Sequence, residues 1–362
     1  MSGPAAGERL FAAVPAFVLA ACGTLAGCTL GPDYVKPAVA VPASYKEAAA
    51  DGTAWKVAQP GDRASRGKWW TLYEDPLLNA LQDVVTSSNQ ELKVAEARYR
   101  QARAFVEGAR GNYLPTVTAG ASVSRLRNSS NTLGRTAASV GPANAFELPL
   151  QVSWELDVWG RVRRAVESSE ASAQAVAADL ETVRLSLQAE LAADYFLLRG
   201  IDSEAQLLER TLVAYRKAYG LTVNRHEGGV ASDAEVAQAE TQLRSAEAQA
   251  VNLRVQRAQI EHAIAVLIGK APAEFSMPQA ELNVSPPVVP LVMPSQLLER
   301  RPDVASAERQ MASANAQIGV AKAAFYPTIS IGAAGGFASS KAFNWLDWPS
   351  RFWSVGPAAA LT

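Results

Sequence analysis

The sequence predicts a mixed α and β protein in which long coiled-coil helices are joined to two-faced strands. Three observations predict it. Residues 146–157 alternate without a break: Phe146, Leu148, Leu150, Val152, Trp154 and Leu156 are apolar, whereas Glu147, Pro149, Gln151, Ser153, Glu155 and Asp157 are not. That is the two-residue period of a strand with one greasy and one wet face. From Leu180 to Thr222 apolar residues recur instead at steps of three and four, the spacing of a coiled-coil seam. Finally, a helix–Pro–strand pattern occurs twice, 212 residues apart.

Composition narrows the function classes. The 362 residues carry a formal net charge of −1, and Lys and Arg are scattered, so nothing draws the chain to nucleic acid. The two cysteines lie near the start. Leu10 to Cys28 is an apolar run of signal-peptide length ending in Leu25-Ala26-Gly27-Cys28. This resembles a lipobox, which implies cleavage before Cys28 and lipidation of that residue; Cys22 would leave with the peptide. An ordinary signal peptide or a single membrane helix would share the apolar run. Thr29, rather than Asp, follows the cysteine; by resemblance to bacterial lipoproteins this implies sorting to the outer membrane. No later run reaches the roughly 18 apolar residues of a membrane helix.

The elements follow in order. Residues 1–27 read as the signal peptide and 28–75 as an extended segment rich in Pro and Ala, poorly able to form a core alone. Asp75-Pro76 sets a helix start, and a helical pattern runs to about Asn112. In "LPTVTAGASVSR" Val117, Ala119, Ala121 and Val123 alternate with Thr118, Gly120, Ser122 and Ser124, giving a strand. Leu126 to Ala145 reads as loop. After the strand at 146–157 a helix runs from Val162 to Arg225, roughly 95 Å at 1.5 Å per residue. Its seam is Leu180, Val183, Leu187, Leu191, Tyr195, Leu198, Ile201, Ala205, Leu208, Leu212, Tyr215, Tyr219 and Thr222. In "NRHEGGVASDAE" Gly228 and Gly229 stop that helix, and Ser232 with Glu235 forms a capping box that starts the next. The second helix continues the heptads through Val236, Leu243, Ala246, Ala250, Leu253, Ile260, Ile264 and Leu267. The pair is a helical hairpin with its tip near Gly229, closed by a Pro-rich connector.

The first repeat therefore spans 76–290 and a second starts at 291. Pro115, Thr116 and Gly120 recur as Pro327, Thr328 and Gly332. The second unit supplies the strand "PTISIGAAGGF", a loop with Trp345, Trp348 and Phe352, and the alternating "WSVGPAAALT". On the repeat, 291–362 is expected to be an incomplete unit, cut within its second strand, with roughly 120 further residues holding a second helical hairpin.

The motifs "LAGC", "GPDYVKP", "WELDVWGRVRR", "RHEGGVASDAEVAQAE" and "LLERRPDVASAERQMASANAQIGVAKAAFYPTISI" together resemble the TolC-like outer-membrane efflux proteins, in their lipoprotein, NodT-type branch. The resemblance covers nearly the whole chain. Trp159, where a Phe is commoner, and His226, where an aromatic usually stands, depart from it. It implies a homotrimer in the Gram-negative outer membrane, each subunit giving two strand hairpins to a 12-stranded barrel and long helices to a periplasmic tunnel. Physics agrees, because four strands cannot close a barrel and an open sheet edge is not tolerated in lipid. Phe146, Trp345, Trp348 and Phe352 would belong to an interface girdle.

The implied function is that of a passive exit duct for small molecules in a tripartite efflux pump. Its partners would be a periplasmic adaptor, an inner-membrane RND-type transporter and outer-membrane lipid. Arg225, Gly229, Val230 and Ser232 match the adaptor-docking tip, although Gly229 and Ser232 also simply turn and cap the helices. Glu147, Glu155 and Asp157 would line the barrel lumen or its rim, or be merely solvated. The rival readings are a periplasmic adaptor lipoprotein, which would lack the strands and the duplication, a lipid-anchored enzyme, and a non-functional fragment of the channel. No catalytic constellation or cofactor motif stands in the sequence. His226 and His262 are single, without a second ligand at metal spacing.

Overall fold

The computed structural model describes residues 29–36, 67–127, 141–283, 287 and 300–361. The lipobox residues Leu25, Ala26, Gly27 and Cys28 lie outside the described residues. So do much of the N-terminal segment, the middle of the Leu126–Ala145 loop and most of the Pro-rich connector. The chain divides into a helical unit, residues 41–99 and 176–306, and a second unit holding the sheet, residues 1–40, 100–175 and 307–362.

In the helical unit, α1 (Pro76–Ser88) starts where the Asp75 carboxylate accepts the Leu77 and Leu78 N–H groups at 2.9 and 3.0 Å. The helical pattern expected to run unbroken to Asn112 is interrupted at Asn89, and α2 (Gln90–Gly111) starts after it. The break has a physical cause. Asn89 adopts extended backbone, its Oδ1 accepts the Leu92 N–H at 3.0 Å, and its Nδ2 donates to the Leu267 carbonyl at 2.8 Å. One buried amide thus caps the start of one helix and the end of another.

The hairpin consists of α3 (Arg161–Glu227) and α4 (Asp233–Leu267). Every seam position read from the sequence on both helices is buried or half-buried. One cluster gathers Leu78, Val85, Leu187, Leu191, Leu198 and Ile264, and another, nearer the tip, gathers Leu212, Leu243 and Ala246 beside Tyr215 and Tyr219. The connector after α4 is fixed by buried ions that the periodicity did not announce. Asp202 accepts from Arg257 Nε at 2.7 Å and Arg199 Nη1 at 3.3 Å. The same two arginines donate to the carbonyls of Met277 and Pro278, each at 2.7 Å, and Glu261 accepts the Met277 N–H. Every charge here has a counter-charge and hydrogen bonds, the condition for burying it at all.

In the other unit, α5 (Pro302–Ala323) matches α2 in length, and its ends, Pro302 and Ala323, lie 212 residues after Gln90 and Gly111. The strands are β1 (Thr116–Ala119), β2 (Ser122–Leu126), β3 (Ala143–Leu156), β4 (Thr328–Ser339) and β5 (Arg351–Ala360). The sheet is antiparallel. β1 and β2 both pair with β3, which pairs with β4, which pairs with β5. β1 and β2 are one strand in a single register, broken opposite Pro149. Gly120 N–H reaches the Pro149 carbonyl at 3.0 Å, but proline has no N–H to return the bond. Phe352, expected in the loop, belongs to β5, because alternation begins at Arg351 rather than Trp353.

Candidate functional site

Register decides which side chains share a face of the sheet. Leu150 pairs with Ala119 and Gly335, Val152 with Val117 and Ala333, and Trp154 with Ile331. Ala333 and Gly335 pair in turn with Val355 and Trp353. All of these lie on one face, and it is apolar from edge to edge. The other face carries Thr118 and Ala334 beside Gln151, Thr116 and Gly332 beside Ser153, and Ser122 and Ala338 beside Glu147. It is polar or small except at its loop end, where Phe352 of β5 stands opposite Gly336 and Pro149, on the side away from the apolar row that the girdle reading expects for it. Among the described residues no helix covers the apolar face, and Val117, Leu150, Trp353 and Val355 are exposed.

The three carboxylates expected on the wet side fall into different settings. Glu147 is exposed on the polar face. Glu155 is held by both Nε and Nη2 of Arg161, at 2.7 and 2.6 Å. Asp157 accepts the Val162 and Arg163 N–H groups at 2.8 and 2.9 Å, so it caps the first turn of α3. Glu155 and Asp157 therefore weld strand to helix, a role distinct from both sequence readings, lumen lining and simple solvation. Trp159 makes sense here too. Its indole N–H donates to the Pro327 carbonyl at 2.8 Å and its ring packs on Tyr326, a bond that the commoner Phe could not make.

The same junction receives the described start of the N-terminal segment, Thr29 to Lys36, which the sequence predicts to be extended and poorly able to form a core alone. Leu30 N–H donates to the Trp159 carbonyl at 3.2 Å, and Thr29 abuts Gly160, whose φ of 76° suits glycine. Arg164 donates to the Leu30 carbonyl at 3.2 Å and to Asp33 at 2.7 Å, and Asn315 Nδ2 donates to the Pro32 carbonyl at 2.9 Å. The backbones cross so closely at Gly31 and Gly319 that a Cβ on Gly31 would stand 2.6 Å from the Gly319 Cα. Leu30 to Asp33 thus form a docking sequence, in which Gly31 permits the close approach and Asp33 meets Arg164.

At the hairpin tip, α3 ends in a Schellman arrangement. Val230 N–H donates to the Arg225 carbonyl and Gly229 N–H to the His226 carbonyl, both at 2.8 Å, with Gly229 at φ 71°. Ser232 and Glu235 form the expected capping box, with Ser232 N–H donating to Glu235 Oε2 at 2.6 Å. These bonds from the Ser232 backbone and hydroxyl hold the Glu235 carboxyl below the usual carboxylate range. His226 Nδ1 lies 2.9 Å from the Ala231 carbonyl, and its Nε2 lies 3.3 Å from Asp233. The Nδ1 contact ties the ring to the turn where an aromatic would only pack. Arg225 and Val230 project outward, exposed. Among the described residues no cluster of His, Cys, Asp and Glu could hold a metal, and no helix is long and apolar enough to cross a membrane; the second statement does not bear on a β-barrel.

A two-faced antiparallel sheet in one unit and a long coiled-coil hairpin, joined to it through α3 in sequence, define a mixed class of protein with separate strand and coiled-coil parts. The outer membrane efflux protein family matches residues 81–270 and 293–362, and the chain belongs to that family. A probable efflux pump outer membrane protein, TtgC of Pseudomonas putida, is 34% identical over 332 residues, covering 90% of this chain. The chain spans 65% of that relative's length. Nodulation protein T of Rhizobium leguminosarum bv. trifolii is 29% identical over 93% of the chain and 70% of its own length. Among solved structures, the outer-membrane channel OprN matches with a TM-score of 0.78 at 31% identity, covering 92% of this chain and 73% of its own. The open state of the Neisseria gonorrhoeae MtrE outer membrane channel matches with a TM-score of 0.73 at 27% identity, covering 92% and 72%. The fold is that of the TolC-like channels.

Proposed function

We propose that the protein is an outer-membrane channel, the passive exit duct through which a tripartite efflux pump releases toxic small molecules. The observation that carries this reading is the sheet. Its apolar face is uncovered among the described residues, and its other face carries mostly small or polar side chains, which suits lipid on one side and water on the other. Efflux pumps are named in the descriptions of its relatives, which supports the same reading. Four strand lengths leave two open edges, so two further copies would complete a 12-stranded barrel. The docking of Thr29 and Leu30 at the strand–helix junction supports Cys28 as a lipid anchor, since it would release the acyl chains beside the membrane surface. A sheet of this kind has no use in a periplasmic adaptor, which disfavours that alternative.

The tip is where a periplasmic adaptor would dock, with Arg225 and Val230 as contacts and Gly229 and Ser232 shaping the turn. The adaptor would link the duct to an inner-membrane RND-type transporter, which supplies the energy. Protein expressed from its gene should run as an SDS-resistant trimer and conduct in planar bilayers; silent bilayers would remove the duct reading. Arg225→Ala should leave the trimer intact and abolish pump-dependent resistance. Unchanged resistance would remove the docking role.

A further inference from the structure

We infer that the loop end of the sheet binds the phosphorylated headgroups of outer-leaflet lipid through a collar of aromatic residues and cations. The inference rests on the channel reading above. The sheet's two ends differ. At one end lie the junctions with α2, α3 and α5, so on that reading it faces the periplasm, and the β4–β5 loop, residues 340–350, faces outward. The apolar row runs into this loop. Phe146 closes the row on β3, and its ring packs on Trp345 with centroids 5.6 Å apart. Trp348 and Phe343 stand exposed. Lys341 sits 5.6 Å over the Phe343 ring and Arg351 only 3.7 Å over the Trp348 ring. Arg125 reaches the same end from β2, paired with Asn144, on the same face as Phe146 and Arg351.

Arg125, Lys341 and Arg351 form no ion pair with a described carboxylate, and Asp347 is the only acidic residue of the loop. Cations that continue a lipid-facing row but stop at its edge sit where acyl chains give way to headgroups. Stacking on an indole fixes the Arg351 guanidinium plane while leaving its N–H donors free for bidentate bonds to phosphate. Charge and continuity with the apolar face therefore select an anionic phospholipid-like headgroup over a protein partner, which would need to cover the aromatic residues without dislodging lipid.

The probe is lipid A, a bis-phosphorylated lipid, titrated against protein expressed from its gene and purified in neutral detergent. Lipid retained after gel filtration is the readout. Wild type should retain lipid A in preference to its dephosphorylated form. Neutralising Arg125→Gln, Lys341→Gln and Arg351→Gln should weaken retention about fivefold per cation; Lys341→Arg should retain lipid like wild type, whereas Arg351→Lys, which lacks the stacked bidentate guanidinium, should retain it less well than wild type. Equal retention by the triple variant, or of dephosphorylated lipid, would overturn the inference. Displacement by inorganic phosphate alone would also overturn it, by making the site one for free phosphate. If the channel reading itself fails, wild-type protein will not enter the membrane fraction; if only the collar fails, it will insert and bind both lipids alike.

Discussion

In the helical unit Leu191, Leu198 and Ile264 have no exposed surface, whereas in the sheet Leu148, Leu150 and Trp154 keep 39%, 51% and 38% of theirs. The same residue types are patterned with equal regularity in both places. What differs is where the apolar stripe points. A seam of period near 3.5 closes on a second helix of the same chain, so its leucines leave water on folding. The strand face of period two closes on nothing among the described residues. An apolar face that wide is not stable in water, and its polar, small-residue reverse is too wet for a protein core. Periodicity alone thus gives the element; on the channel reading, the lack of a described partner for the strand face fits lipid as its solvent.

Four substitutions probe that contrast. The largest effect belongs to the seam: Leu198→Ala leaves a cavity in a closed core and should cost about 2–5 kcal/mol in thermal or denaturant unfolding. Next comes the sheet. Leu150→Arg should cost about 2–4 kcal/mol of membrane stability, seen as loss of folded protein from the outer-membrane fraction, whereas Gln151→Arg, one residue along, should be recovered like wild type. Equal losses for the neighbours would erase the distinction between the faces. The smallest effect lies at the tip, where Ser232→Ala should remove about 1 kcal/mol, read as faster hydrogen exchange at the start of α4. The Glu235 half of that capping box is tuned by pH. Because its folded pKa is lowered, its contribution is present above the ordinary carboxylate range and is lost as pH falls through the lowered value. Exchange protection at the tip should therefore stay level through neutral pH and drop only in acid.

Much of this architecture was legible in the sequence. The seam from Leu180 to Thr222, the strand at 146–157 and the capping box at Ser232 are local patterns, and local rules find them. What escaped were pairings between distant residues. Asn89 looks like a tolerated polar residue within a helix; its partner, the Leu267 carbonyl, is 178 residues away. Asp33 reads as part of a loose segment until Arg164, 131 residues on, fixes it. Asp202 and Arg257 look like surface charges because each helix taken alone would solvate them. At the candidate site, alternation placed Glu147, Glu155 and Asp157 on the wet side of a strand. It could not show that the last two are taken up by the start of α3, since that follows from how the chain turns after Leu156.

The central claim is that lipid meets the greasy face and water the other. It is tested most directly with Leu150→Cys and Gln151→Cys, adjacent in β3, treated with a membrane-impermeant maleimide in intact outer-membrane vesicles. The account predicts rapid labelling of Cys at 151 and protection at 150 until detergent dissolves the bilayer. Rapid labelling at 150 with protection at 151, the pattern of a sheet that buries one face in a protein core and shows the other to solvent, would contradict it.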